Sequence, residues 1–155
     1  MPLIALLVLS AAAACADEPM RREIVARHTE AFAVGDEPVI VTVDVAPAKR
    51  QLARAAEAAT EMVVLQVEGV DAERAPGFLA EVVVAGEPVG TVALYAFRER
   101  QDFVFEVDAP LAALLRKGST TVEVRFVPVS GLENEPARPA APIRISGLTL
   151  FIERQ

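Results

Sequence analysis

The sequence predicts an all-β fold: an antiparallel β-sandwich or a jelly-roll-like barrel of about seven strands, with one short helix. Three observations point there. Apolar residues recur with a period of two from Val39 onward. Glycine and proline punctuate these runs at short intervals. The composition, 53% hydrophobic and 24% charged over 155 residues, is that of one globular domain with a real core.

The strands follow in order. In "VIVTVDV" Val39, Val41, Val43 and Val45 share a face, with Thr42 and Asp44 opposite. In "MVVLQVEG" Val63, Leu65 and Val67 point inward, Gln66 and Glu68 outward. "FLAEVVVAG" and "GTVALYAF" read as strands joined by the turn-rich "GEPVG". "DFVFEVD" alternates Phe103, Phe105 and Val107 with polar neighbours, and "TVEVRFVPV" does so through Val122, Val124 and Phe126. Between them "DAPLAALLRKG" predicts the helix: Asp108 as N-cap, Pro110 in the first turn, Leu111, Leu114 and Leu115 on one face, and Lys117–Gly118 as the stop. The last strand, "IRISGLTLFIE", places Ile143 and Ile145 on odd positions but Leu148, Leu150 and Ile152 on even ones. One face can hold all five only past an inserted residue, so a bulge is expected at Ser146–Gly147, where glycine permits positive φ.

Two longer connections remain. "APAKRQLARAAEAATE" is a loop or a short surface helix, and "SGLENEPARPAAP" is a proline-rich loop unable to join a ladder. If a partner surface exists, these segments, Pro47–Glu61 and Gly131–Pro142, are where it is expected, with Arg138 as a candidate contact; both could equally serve only as connections.

Upstream, residues 1–16 have the form of an export signal, with an apolar stretch from Leu3 to Leu9 followed by small residues. That stretch is too short to span a bilayer. Cleavage after Ala16 fits an A-x-A site; alternatively Cys15, after the alanine run, is a candidate lipidation site anchoring the chain to a membrane. Either reading makes the domain extracytoplasmic. Residues 17–37 are expected to form a tether, and 38–155 the sandwich.

Reactive chemistry is sparse. The one histidine, His28, falls in the expected tether, and neither a G-x-S-x-G motif nor a phosphate-cradling glycine loop is present. One histidine and one cysteine cannot build a zinc or copper shell. The acid pairs Asp71/Glu73 and Glu133/Glu135 read as solvated charge. A net charge of -7 argues against nucleic-acid binding, which needs a basic face. The expectation is a non-enzyme without catalytic residues, cofactor or metal.

The order of these segments resembles the C-terminal domain of polyphenol oxidases and tyrosinases, from Phe32 to Glu153. "VIVTVDV" followed by the basic "APAKRQLARA" is similar to the opening strand and variable loop of that domain. "EMVVLQVEGV" resembles its E-x-L-V-x-x-G-I segment. "FVFEVDAPLAALLRKGSTTVEVRFVPVSG" resembles its short helix and V-x-V-x-x-V-P-x-x-G strand, and "IRISGLTLFIE" its last V-x-I-x-G-I-x-I-E strand. At the K-F-D-V strand the chain reads "LAEVVVAGEPVG" instead. In that family a separate helical domain holds two coppers through six histidines, while the C-terminal domain shields the copper site and is non-catalytic. The resemblance therefore implies a binding or shielding module, its partner a separately encoded tyrosinase-like oxidase or another extracytoplasmic protein, and carries over no active-site residue. The alternative is a lipid-anchored structural or adhesion-like envelope protein.

Overall fold

A computed structural model describes residues 21–132 and 135–154. The expected signal segment and Cys15 lie outside them. Among the described residues are ten strands and two α-helices: β1 (Arg21–His28), β2 (Phe32–Val34), β3 (Val39–Asp44), α1 (Lys49–Ala55), β4 (Glu61–Val70), β5 (Leu79–Val84), β6 (Glu87–Val92), β7 (Gln101–Glu106), α2 (Asp108–Arg116), β8 (Thr121–Val129), β9 (Ile143–Ile145) and β10 (Gly147–Arg154).

The strands form two four-stranded sheets, ordered β1-β10-β4-β7 and β3-β8-β5-β6, with β2 and β9 as a separate pair. Every pairing is antiparallel. The architecture is an open β-sandwich and not a closed barrel. One core fills it, drawing Val63, Leu65 and Val67 from β4, Val82 and Val84 from β5, Val122, Val124 and Phe126 from β8, and Leu148, Leu150 and Ile152 from β10. These are the alternating positions, which can leave water only when two sheets stack face to face.

Where seven strands and one helix are expected, local chemistry adds more. The tether over 17–37 is corrected from Arg21 onward. Residues 21–28 pair with β10 as an edge strand, and 32–34 pair with β9. A bulge between Ile24 and Ala26 breaks the alternation of β1, which is why no period of two is visible there. The connection after β3 is more than a surface helix: Pro47 opens a 3₁₀ turn, α1 follows, and Leu52 and Ala55 reach the core. The strand expected over "GTVALYAF" runs instead from Glu87 to Val92, so "ALYAF" belongs to the connection that follows. Pro88 is tolerated because β6 pairs only with β5 and leaves its other side open.

In α2, Leu111 and Leu115 are buried and Gly118 ends the helix at φ 89°. Asp108 does not cap it. Its Oδ1 accepts from the backbone N–H of Val63, 2.9 Å away, tying α2 to β4.

The bulge expected at Ser146–Gly147 is also relocated. Leu148 pairs with Val67, Gly147 with Glu68 and Arg144 with Asp71, so neither strand gains a residue on the other. Both chains change their inward parity at the same level instead. The inserted residue lies across the ladder, in β4 against β7, where register shifts between Val67 and Val70 around Gly69 at φ 57°. Gly147 is glycine for a different reason: a Cβ there would lie 2.8 Å from the His28 carbonyl oxygen.

Candidate binding surface

The two ends of the sandwich differ. At one end α1 and α2 cover the core, with Lys49 Nζ donating to the Gly118 carbonyl at 2.6 Å. A cavity of about 360 Å³ there is lined by Glu57, Glu61, Asp108 and Glu153. These acids already have partners: Glu57 takes Arg116 at 2.9 Å, Glu61 takes Arg154 at 2.9 Å, and Glu153 takes Arg22 at 2.6 Å. The Arg22 contact is an ion pair by distance but lacks hydrogen-bond geometry, so the buried Glu153 Oε1 has no hydrogen-bond donor among the described residues.

At the opposite end three connections, 71–78, 93–100 and 135–142, gather into one surface, and backbone contacts lock them together. The Ala72 N–H donates to the Phe97 carbonyl (2.7 Å), and Asp71 and Arg144 exchange backbone bonds at 3.0 and 2.7 Å. The Ala140 N–H donates to the Pro76 carbonyl (2.7 Å), while Arg74 grips the Ala140 carbonyl through Nε and Nη2 at 3.1 and 2.8 Å. Gly77, at φ 75°, lets the proline-rich loop close in; a Cβ there would be 2.7 Å from the Arg138 carbonyl oxygen. The proline-containing 71–78 turn is thus the hub that holds both other connections.

Charge is organised on the same surface. Arg144 Nε donates to Asp71 Oδ1 at 2.7 Å and Nη1 to Glu73 Oε1 at 3.2 Å, while Arg100 Nε lies 3.7 Å from Asp71 Oδ2. The Asp71 hydrogen bond, reinforced by its charge, raises the Arg144 guanidinium above its ordinary pKa. A cleft of about 530 Å³ opens beside these four side chains, lined by Phe32, Asp71, Arg100, Arg144, Ile145 and Ser146. A second, of about 410 Å³, has Phe78, Leu79 and Leu94 in its wall and Arg138 among its lining residues. Tyr95, next to Leu94, is 92% exposed.

Of the residues singled out by sequence, the structure brings Arg138 and residues 135–142 into this surface. Pro47–Glu61 goes to the other end. His28 closes β1, half-buried, its ring edge-on to Phe32 at 6.3 Å. Asp71 and Glu73, read as solvated charge, both bind Arg144; that pairing spans 73 residues and had no local signal. Glu133 lies outside the described residues. Among those described, no group of three or more His, Cys, Asp or Glu is placed to hold a metal ion.

No protein-family model matches the chain, and no curated protein matches its sequence. Solved structures share its fold. A BuGH86 protein in complex with neoagarooctaose is similar with a TM-score of 0.51 and 8% identity, over 86% of this chain, both as wild type and as a variant. The chain spans 19% of the wild-type BuGH86 chain and 18% of the variant. A latent aurone synthase (polyphenol oxidase) from natural source is similar at a TM-score of 0.49 and 13% identity, over 80% of this chain and 26% of its own. The CBM36-1 domain of a multidomain xylanase, from the hindgut metagenome of Trinervitermes trinervoides, gives 0.43 and 11%, over 84% and 96%. At these identities the likeness is one of fold.

Proposed function

We propose that this chain is an exported, non-catalytic β-sandwich that binds a separate protein through the surface formed by connections 71–78, 93–100 and 135–142. One observation carries the reading: those connections are cross-tied into a single preorganised surface, with Tyr95 projecting from it. Ordering recognition loops before binding lowers the entropic cost of association. The sequence resemblance to tyrosinase C-terminal domains supports a copper oxidase as the partner, with the module shielding its active site. Co-expression with a tyrosinase-like oxidase encoded nearby tests this. The expected result is co-purification and depressed diphenol oxidation that recovers when the module is removed. Full activity without co-purification would overturn the oxidase version.

A second reading, a lipid-anchored envelope protein, rests on Cys15 following the alanine run. Mass spectrometry of the mature N terminus separates the two. A diacylglyceryl cysteine supports the anchor, and cleavage after Ala16 excludes it.

A further inference from the structure

We propose that the cleft between Arg100 and Arg144 receives a carboxylate from an acidic segment of the partner protein, which takes the place of Glu73 on Arg144. This rests on the reading of the chain as a binding module and names the chemistry of its contact.

Asp71 is the fixed part of the arrangement. Its side chain is 16% exposed, and its two oxygens face one arginine each, Arg144 at 2.7 Å and Arg100 at 3.7 Å. The carboxylate between them offsets the mutual repulsion of the guanidiniums and holds both at the cleft. Glu73 is the loose part: it is 81% exposed and meets Arg144 Nη1 at 3.2 Å. An exposed pair of this kind contributes little and exchanges readily for another carboxylate. Arg100, 76% exposed, makes no hydrogen bond to any described residue, so its planar fork of donors is unspent. Guanidinium forks match carboxylate geometry, which makes an aspartate or glutamate side chain the fitting ligand.

The neighbouring residues suit a protein partner. Connection 93–100 also carries Tyr95 and Arg98, whose guanidinium lies 5.8 Å from the Phe97 ring centroid and forms no ion pair among the described residues. Tyrosine and arginine are the residue types on which binding energy concentrates at protein interfaces. Complementarity at the two guanidiniums fixes where the carboxylate docks, against the repulsion of a chain whose net charge is -7.

The test is an NMR titration of the isotope-labelled chain at low salt with a capped hexaglutamate peptide, using hexaglutamine and inorganic phosphate as controls. Saturable shifts are expected at Tyr95, Arg100, Arg144 and Ser146. Arg100→Ala, which removes no hydrogen bond of the fold, should weaken binding about fivefold or more. Glu73→Gln should tighten it about two- to threefold by removing the internal competitor. Equal binding of hexaglutamine, an equal response to phosphate, or indifference to both substitutions overturns the proposal, as does the lack of any saturable shift. None of these failures touches the oxidase-partner reading, which stands or falls on co-purification.

Discussion

Gly90 of β6 lies against the Cδ1–Cε1 edge of the Phe105 ring of β7. A Cβ on Gly90 would stand 2.5 Å from both Cδ1 and Cε1 of that ring. The contact joins the edges of the two sheets, so the sandwich is closed along one side by packing where no ladder exists. Gly90→Ala should cost about 1–3 kcal/mol in urea unfolding, the usual effect of overpacking. Adding Phe105→Leu should make the pair less damaging than the sum of its parts. Strict additivity would show that the ring does not occupy this place.

Gly69 and Ser146 meet in a second close approach. Gly69 has φ 57°, and a Cβ on it would collide with the Ser146 hydroxyl and lie 2.9 Å from its Cβ. Gly69→Ala therefore adds backbone strain to a steric conflict, and a loss of about 2–3 kcal/mol is expected. Ser146→Gly should recover the steric share but not the share due to φ. Full recovery would mean that the positive φ carries no cost.

The hairpin between β5 and β6 turns on Ala85 and Gly86, at φ 50° and 86°. Positive φ at both central positions defines the tight turn that favours Asn-Gly, and alanine is a poor first residue for it. Ala85→Asn should stabilise the fold by about 0.5–1 kcal/mol, read as a higher urea midpoint at unchanged slope.

Arg22 offers a test of β1 itself. It pairs with Glu153, whose side chain is only 6% exposed. Arg22→Ala strands that carboxylate and should cost about 1–3 kcal/mol, less than a fully buried pair because Arg22 is half exposed. Glu153→Gln in the same chain should restore part of the loss. Were residues 21–28 a tether, Arg22→Ala would change nothing.

What the sequence made legible follows from periodicity. β3, β5, β7 and β8 alternate cleanly because each has one face on the core, and a helix bounded by Pro110 and Gly118 is equally clear. β1 was hidden because a bulge breaks its pattern and its charges face solvent at a sheet edge, where they discourage unwanted pairing. The fault in the last strand was visible as a change of parity at Ser146, but its cause lay in Gly69, brought opposite only by folding. The same limit hid the binding surface. Its parts, Asp71, Arg100 and Arg144, stand far apart in the chain, and each alone reads as ordinary solvated charge.

The position of β10 has a consequence for synthesis. Residues 147–154 lie between β1 and β4, so the second strand of that sheet is the last to be translated. Until it emerges from the ribosome, β1 has no ladder partner and the inward face of β4 lacks Leu148, Leu150 and Ile152 beside it. Closure of the sheet must therefore follow translation of those eight residues.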